Sequence, residues 1–279
     1  MNKLKHLLDS RRSDHRSLPL VMGILNVTPD SFSDGGRFST EDAVKEQVEK
    51  MVKAGVDIVD IGGESTRPGA SFVSVSEELD RVMPAIELVR NCSDAAISID
   101  TYKTEVMVEA IGKRVDLIND VNALQAEGAV ELVAGSGIPV CLMHKQGDPQ
   151  TMQAAPVYEN VVDEVLSFLQ TRIDVCESAG IARENILLDP GFGFGKTLKH
   201  NTDLFRALEC FTELPYGILV GVSRKTMIGT LMGDVPVGER MIGSVAAALV
   251  AARKGAAIVR VHDVEETVQA LKVSQQLWD

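Results

Sequence analysis

The sequence predicts an α/β protein with a (β/α)8 TIM-barrel fold, in which eight parallel strands lie inside a ring of helices. Short apolar runs alternate with amphipathic stretches along almost the whole chain. The runs are apolar on both faces, which is typical of a parallel sheet covered by helices. Polar residues close each run. Because alternation alone does not show that the sheet closes, a doubly wound open sheet remains the alternative.

The apolar runs place the predicted strands, in chain order, at residues 21–26, 56–62, 96–100, 115–119, 139–144, 186–189, 218–223 and 256–262. Amphipathic patterns place the helices at residues 42–54, 76–90, 104–111, 127–134, 159–178, 200–211, 239–254 and 264–277. Glycines stand where helices are expected to end, before the next strand begins: Gly55, Gly112, Gly180 and Gly255.

The composition indicates one globular domain. The chain has 279 residues, 45% of them hydrophobic, and no linker-like segment divides it. We expect residues 1–17 to form an N-terminal extension and residues 18–279 to form the barrel domain. The formal net charge of −12 argues against nucleic acid or an anionic membrane as a partner, so any anionic substrate must meet a local basic cluster.

The cysteines and the apolar runs indicate a cytoplasmic protein. Four cysteines are scattered without a Cys-x-x-Cys pair, so neither a zinc site nor a disulfide framework is predicted. No run of eighteen apolar residues occurs, and the charged residues 1–17 have no apolar core of signal-peptide length.

A glycine-rich motif follows the sixth predicted strand and invites a nucleotide-binding interpretation. Gly195-Lys196-Thr197 supplies the end of a P-loop, but Pro190 stands at its opening position, where it has no N–H to give a phosphate. The dinucleotide pattern also fails, because Lys196 stands at its last glycine position. We therefore interpret the motif as a strand that ends at Asp189, followed by a loop that glycine makes pliable.

Every predicted strand ends in polar residues, which is where active sites of barrels lie. In chain order these ends carry Asn26, Glu64 to Arg67, Asp100, Asn119 with Asp120, His144, Asp189, Ser223 to Lys225, and Arg260 with His262. Helix N-caps alone can explain Asp100 or Asn119, and His144 is interpreted first as a core histidine. Eight converging polar ends favour a site.

The polar ends divide by charge. Asp100, Asn119 and Asp189 offer carboxylate and amide groups that suit the N–H edge of a flat heterocycle. The cationic half consists of Arg67, Arg224, Lys225, Arg260 and His262.

The last predicted strand carries a candidate diphosphate clamp. The two-residue period of a strand puts Arg260 and His262 on one face, where they suit a diphosphate. Two alternatives stay open: Arg260 can instead pair with a barrel carboxylate, and Lys225 can be a Schiff-base lysine.

Two long segments rich in turn residues, 28–36 and 62–70, carry Phe32 and Arg67. Such loops can close over a substrate and exclude water. The alternative is that they are variable surface connections.

The residues resemble one known family. Two segments, Gly23-Ile24-Leu25-Asn26-Val27-Thr28-Pro29-Asp30-Ser31-Phe32-Ser33-Asp34-Gly35-Gly36 and Asp60-Ile61-Gly62-Gly63-Glu64-Ser65-Thr66-Arg67-Pro68-Gly69, resemble signature segments of the dihydropteroate synthases. The stretches at 188–196, 223–225 and 260–262 resemble the same family, so the resemblance covers residues 20 to 275.

The resemblance implies a homodimeric TIM barrel that joins p-aminobenzoate to 6-hydroxymethyl-7,8-dihydropterin diphosphate, is inhibited by sulfonamides and uses Mg²⁺. Pterin-binding positions are then Asp100, Asn119, Asp189 and Lys225, with Met143 and Gly221 lining the pocket. Asn26 helps to hold Mg²⁺, and Arg260 with His262 holds the diphosphate. The aminobenzoate pocket consists of Thr66, Pro68, Phe194, Ser223 and Lys225, with Arg67 as a further substrate-binding residue.

The expected catalytic residues are Asp100, Asp189, Lys225, Arg260 and His262. Two other functions remain open on the same fold: a methyltransferase-type barrel that binds a methylated folate, and a catalytically silent pterin-binding protein. The first needs no diphosphate clamp, so Arg260 and His262 argue against it, and the intact motifs argue against the second.

Overall fold

The computed structural model describes residues 2–12, 18–28, 40–65, 72–147 and 152–277. Eight parallel strands follow one another around a closed barrel in chain order. The last strand pairs with the first, so that Leu20 lies opposite Ile258 and Gly23 opposite Val261. The predicted TIM barrel is therefore confirmed, and the open-sheet alternative is wrong.

The strands are short and almost fully buried. Their bounds are β1 Leu20–Asn26, β2 Ile58–Gly62, β3 Ala96–Asp100, β4 Leu117–Asp120, β5 Val140–Met143, β6 Ile186–Asp189, β7 Gly217–Val220 and β8 Ile258–Val261. All eight predicted strands overlap these bounds.

The helices surround the barrel. Their bounds are α1 Lys3–Arg12, α2 Thr40–Ala54, α3 Val75–Cys92, α4 Thr104–Gly112, α5 Ala129–Ser136, α6 Val161–Ser178, α7 Leu198–Arg206, α8 Glu209–Thr212, α9 Thr226–Leu231, α10 Met241–Arg253 and α11 Val264–Leu277. Short 3-10 turns occupy Arg183–Asn185 and Val237–Glu239. The predicted helix at 200–211 is divided into α7 and α8, and α1 and α9 are additional.

Helix α1 closes the amino-terminal end of the barrel. Leu4 and Leu8 are buried against the apolar layer inside that end, which consists of Leu20, Met22, Ile58, Ala96, Leu117, Cys141, Leu187, Leu219 and Ile258. The helix is held at its start by Lys3, whose N–H donates to Asp116 Oδ1 over 3.0 Å. Water is therefore excluded from the end of the barrel opposite the polar strand ends. The domain boundary placed after residue 17 stays a prediction.

Three of the four glycines expected at helix ends adopt the left-handed conformation, since Gly55, Gly180 and Gly255 have φ of 90°, 93° and 89°. Gly112 does not. It is the last residue of α4, and Arg114 takes the left-handed conformation after it, with φ 61°. The helix therefore ends at Gly112 as predicted, but without a left-handed glycine.

Within the described ranges, no helix has the length and apolarity needed to cross a membrane.

Candidate functional site

A polar cluster fills the carboxyl-terminal end of the barrel interior. The sheet register sets Gly62 beside Asp100, Asp100 beside Asn119, and Met143 beside Asp189. Side chains that alternate along a strand point to opposite faces, so these positions continue the inward-facing rows that begin in the apolar layer. The residues predicted to bind a heterocycle are thereby brought together.

The guanidinium of Arg260 lies between two buried carboxylates. Its Nε donates to Asp60 Oδ2 over 2.6 Å, and its Nη2 donates to Asp100 Oδ2 over 2.7 Å. The ion pairing named as an alternative for Arg260 is therefore present. The other oxygen of Asp100, Oδ1, is buried and has no hydrogen-bond partner among the described residues, so it can accept from a ligand.

Asp60 is part of this cluster and was missed as a site residue by the sequence analysis. Its carboxylate is fully buried and also accepts from Asn119 Nδ2, at 3.3 Å and 3.5 Å. The available signal was a carboxylate in the middle of an otherwise apolar strand, two residues before Gly62 and so on the same face. Asp60 therefore orients Arg260 of the cationic half and Asn119 of the carboxylate and amide half.

Burial is the largest influence on the pKa values of Asp100 and Asp189, the two carboxylates expected to bind the pterin. It raises the pKa of Asp100 to about 7, although the Arg260 guanidinium acts in the opposite direction. Burial also raises the pKa of Asp189, against the effects of Lys225 and of the bond from the Gly191 N–H. For Arg260, burial lowers the pKa, but Asp60 and Asp100 outweigh burial and raise it, so the guanidinium stays charged.

Lys225 reaches across the site from the loop after β7. Its Nζ donates to the Phe192 carbonyl oxygen over 2.5 Å and lies 4.7 Å from the centre of the Phe194 ring. Burial lowers the pKa of Lys225 to about 8, while the Asp189 charge acts against that shift. Lys225 therefore joins the carboxylate side of the site to an aromatic surface.

Ser223 and His262 form a pair at the rim. The Ser223 hydroxyl oxygen accepts from the His262 backbone N–H over 3.1 Å and lies 3.1 Å from His262 Nδ1. Arg224, predicted to belong to the cationic half, pairs with Asp263 through Nε at 3.0 Å and Nη2, so its charge is already met by a carboxylate. The backbone at Arg224 is left-handed, with φ 56°.

Two glycines keep space inside the cluster. A side chain at Gly62 would begin 3.7 Å from Asn26 Oδ1 and 3.7 Å from Asp100 Cβ. One at Gly221 would begin 3.7 Å from Arg260 Cβ. Met143 is buried beside Asp189. Asn26, Met143 and Gly221 thus lie where a pocket over Asp100 and Asp189 would place them.

The glycine-rich loop presents its N–H groups to the protein itself. Gly191 N–H donates to Asp189 Oδ1 over 2.7 Å, and Gly193 N–H donates to Asn201 Oδ1 over 2.7 Å. Lys196 is buried beneath the loop. A phosphate cradle needs these groups directed at the ligand, so the rejection of the P-loop interpretation is consistent with the geometry.

The base of the second long segment is held by a buried ion cluster. Lys103 Nζ contacts both Glu64 and Glu78, and Tyr102 donates to Glu64 over 3.2 Å. The expected substrate residues Thr66, Arg67 and Pro68 lie outside the described residues, as do residues 29–36 and 66–70 of the two long segments.

Comparisons with known proteins place the chain in one family. The family described as "Pterin binding enzyme" matches residues 22–262. Dihydropteroate synthase of Haemophilus influenzae is 55% identical over 259 residues, which cover 93% of this chain and 94% of that protein.

Two solved structures are similar along nearly the whole chain. Xanthomonas albilineans dihydropteroate synthase with 4-aminobenzoic acid has a TM-score of 0.89 and 48% identity, with 94% of each chain covered. Yersinia pestis dihydropteroate synthase in a sulfonamide drug complex has a TM-score of 0.89 and 49% identity, with 94% of this chain and 95% of that chain covered.

Proposed function

Because this chain belongs to the dihydropteroate synthases within the pterin-binding enzyme family, we propose that the polar strand ends described above carry out that reaction. The enzyme condenses 6-hydroxymethyl-7,8-dihydropterin diphosphate with p-aminobenzoate to 7,8-dihydropteroate and diphosphate, and it is a sulfonamide target. One observation supports this assignment of residues most directly: cationic and anionic side chains meet in one buried cluster, where Arg260 contacts Asp100 and Lys225 interacts with Asp189.

The pterin ring is proposed to lie on Asp100, Asn119 and Asp189. The unpartnered Oδ1 of Asp100 can accept from a ring N–H, and the Asn119 amide can donate or accept. Lys225 is proposed to contact the ring beside Asp189, since its ammonium interacts with that carboxylate. Met143 and Gly221 are proposed to line this pocket.

The diphosphate is proposed to bind at Arg260 and His262. Arg260 uses Nε and Nη2 for the two carboxylates, which fixes the plane of its guanidinium and leaves Nη1 for an anion. If Ser223 donates to His262 Nδ1, the proton of the neutral ring is on Nε2, which can donate to a phosphate oxygen.

The aminobenzoate ring is proposed to lie against Phe194, with Ser223 and Lys225 beside its polar end. Lys225 already lies over the Phe194 ring, so an aromatic acid can stack near that ring with its carboxylate toward polar groups. Thr66, Arg67 and Pro68, which lie outside the described residues, are proposed to complete this pocket.

The reaction breaks the bond between the pterin methylene carbon and the diphosphate oxygen, and forms a bond from that carbon to the amine nitrogen. The amine then loses one proton. Negative charge grows on the departing diphosphate, where Arg260 and His262 stabilise it. Positive charge grows on the pterin, where Asp100 and Asp189 stabilise it. No covalent bond to the protein is needed.

We propose that Mg²⁺ accompanies the diphosphate and is held by Asn26. A side chain at Gly62 would contact Asn26 Oδ1, so the glycine leaves this oxygen uncovered on that side, and an amide oxygen is a ligand that Mg²⁺ accepts. Within the described residues no group of three His, Cys, Asp or Glu side chains can hold a metal, so the phosphate oxygens would supply most of the ligands. When bound, the ion neutralises charge on the leaving group.

We propose that the protein is a homodimer that uses an apolar stripe on α10. Only Ser244, Ala248 and Ala251 of this helix are fully buried against the barrel. Ile242 and Val250, two turns apart on another face, are 71% and 47% exposed. Exposed apolar side chains at this spacing suit a second copy of the same helix, related by twofold symmetry. We also propose a cytoplasmic location, since all four cysteines are free thiols.

A turnover assay tests the proposed function. The protein is incubated with Mg²⁺, the pterin diphosphate and p-aminobenzoate, and both diphosphate and 7,8-dihydropteroate are measured. We expect equal amounts of both products. Pterin binding without turnover would instead identify a catalytically silent protein. If diphosphate leaves before the amine attacks, it should also be released slowly when p-aminobenzoate is omitted.

A further inference from the structure

Lys196 is a buried lysine that the proposed reaction does not use. It lies beneath the glycine-rich loop and is only 3% exposed. Its Nζ contacts three neutral acceptors: the Gly191 carbonyl oxygen at 2.9 Å, the Phe194 carbonyl oxygen at 3.1 Å, and His144 Nδ1 at 2.9 Å. It forms no salt bridge within the described parts of the chain. Three donors of an ammonium group therefore meet three acceptors.

These bonds close the loop into a compact turn around the ammonium. The carbonyl groups of Gly191 and Phe194 point inward to Lys196, which leaves the Gly191 N–H directed at Asp189 Oδ1. A side chain at Gly191 would overlap the carbonyl oxygen of His144, so the loop lies directly against the end of β5. Lys196 thus holds the carbonyl oxygens of Gly191 and Phe194, at the two ends of the 191–194 turn. The N–H of Gly191, at the start of this turn, orients the Asp189 carboxylate.

His144 supplies the third acceptor and is itself held in place. Its ring packs edge-on against Phe168, with the ring centres 5.0 Å apart. Burial and, to a smaller extent, the neighbouring Lys196 charge together lower the pKa of His144 to about 3, so the ring stays neutral. A neutral ring that accepts at Nδ1 carries its proton on Nε2. Tyr158 adds a bond from its hydroxyl to the Gly195 carbonyl over 2.9 Å.

The charged groups that face Lys196 belong to the site. Asp189 on β6 raises the pKa of Lys196, and Lys225 after β7 lowers it. In return, the Lys196 charge lowers the pKa of Asp189 and so favours its ionised form. His144, directly after β5, is the remaining titratable group in contact. Lys196 is therefore coupled to the site by geometry and by charge.

We propose that Lys196 is a positioning residue, which acts through the 191–194 turn and through His144 to hold the Asp189 carboxylate and the Phe194 ring where the two substrates need them. This inference rests on the proposed function. Lys196 itself touches neither substrate. Its effect on the pterin passes through the Gly191 N–H, and its effect on the aminobenzoate passes through the Phe194 carbonyl.

The test compares Lys196→Met with the wild-type enzyme. The affinity for 6-hydroxymethyl-7,8-dihydropterin, which lacks the leaving group and so cannot react, is measured by calorimetry. The KM for p-aminobenzoate is measured with saturating pterin diphosphate. We expect the Kd and the KM each to rise about tenfold or more, because small misplacements of binding groups are costly. Lys196→Arg, which keeps the charge, should recover part of each loss.

Lys199→Met is the matched control, since Lys199 is an exposed lysine three residues further along that pairs with Asp203. It should leave both constants unchanged. A purely structural lysine would lower the melting temperature of Lys196→Met but leave the Kd and the KM of the folded enzyme within about twofold of wild type, and that result would overturn the proposal.

A second pair of variants covers the case in which Lys196→Met does not fold. His144→Leu removes the acceptor, and we expect it to weaken pterin binding, whereas His144→Asn restores an acceptor and should recover most of the loss. Equal binding by the Leu variant and the wild type would overturn the proposal. Failure of the proposed function would look different, since the wild-type enzyme would then form no dihydropteroate.

Discussion

At the scale of single residues, the site depends on how Arg260 is held. Its guanidinium bonds to Asp60 and Asp100, and Asp60 also binds Asn119. One buried carboxylate thus sets the orientation of the expected diphosphate ligand and of one expected pterin ligand. Removing one partner of a buried ion pair leaves an uncompensated charge, which makes Asp60 sensitive to substitution.

We expect Asp60→Asn to lower the free energy of unfolding by about 3 kcal/mol, because Arg260 loses a charged partner. The kcat of the folded enzyme should fall about tenfold or more, since Arg260 and Asn119 lose their orientation. Urea denaturation and steady-state kinetics check the two effects. Asp80→Asn, at an exposed position on α3, is the control. Unchanged kcat in Asp60→Asn would show that Asp60 does not orient the site.

The burial of Lys196 predicts a dependence of stability on pH. Burial lowers the pKa of Lys196 from 10.5 to about 7. Between these values the unfolded chain holds a proton that the folded protein has released, so this residue makes folding more favourable as the pH rises through that window. Lys196→Met lacks this gain. Its melting temperature relative to wild type should therefore be highest below pH 7 and decrease toward pH 10.

Because the Lys225 charge lowers the pKa of Lys196, the difference between the two proteins measures the loss of Lys196 together with this coupling. Lys199→Met is the control and should have a melting temperature close to that of the wild type, because Lys199 is exposed. If the difference in melting temperature between Lys196→Met and the wild type were the same at every pH, burial would not lower the pKa of Lys196.

The sequence predicted which residues end the strands, but not which of them meet. Asp100, Asn119, Asp189 and Lys225 were predicted from their positions, because strand ends converge in a barrel. Asp60 was missed since it lies inside an apolar run, and the pairing of Arg224 with Asp263 was not predicted. The position of Asp60 inside an apolar strand was a usable signal, but its pairing with Arg260 across the barrel, like that of Arg224 with Asp263, depends on geometry that motifs do not encode.

At the scale of elements, α1 is the addition that sequence reasoning could not place. Its pattern is strongly charged, yet Leu4 and Leu8 stand four residues apart and reach the barrel interior. The end of β7 shows a related limit. The apolar run predicts a strand to residue 223, but the ladder ends at Val220, and Val222 is buried without strand pairing. A buried residue is apolar in the sequence whether or not its backbone is hydrogen-bonded to a neighbouring strand, so the sequence does not show where the strand ends.

We expect Leu8→Ala to lower the free energy of unfolding by about 2–4 kcal/mol, since it leaves a cavity against the closed end of the barrel. Chemical denaturation measures the change. His6→Ala, at an exposed position of the same helix, is the control and should have little effect. A loss as small as that of the control would mean that α1 does not close the barrel. Catalytic constants should be unchanged, because α1 lies at the end opposite the site.

At the scale of the whole molecule, the barrel has an apolar closed end and a polar open end. The interior layer next to α1 is entirely apolar, whereas Asp60, Asp100, Asn119 and Arg260 fill the layer above it. The fold class was predictable because strict alternation permits few arrangements. The contacts of the outer surface were not predictable. A helix that is apolar on all sides, such as α10, has a second apolar face, and the sequence does not identify what packs against it.

We expect Ile242→Glu to convert a dimer into a monomer, because it places a charge within the apolar stripe of α10. Sedimentation equilibrium measures the mass. Val108→Glu makes the same change at a 47% exposed position on α4 and should leave the dimer intact. A wild-type protein that sediments as a monomer, or an Ile242→Glu protein that remains a dimer, would contradict the assignment of this surface.

The most direct test of the whole account is the rate of 7,8-dihydropteroate formation by the wild-type enzyme and by Asp189→Asn. Asparagine keeps an oxygen for the Gly191 N–H but removes the charge proposed to stabilise the pterin cation. Since a preorganised charged contact contributes on the order of 3 kcal/mol to the barrier, kcat should fall about a hundredfold or more while the fold is retained. Near-wild-type turnover by Asp189→Asn would contradict the account.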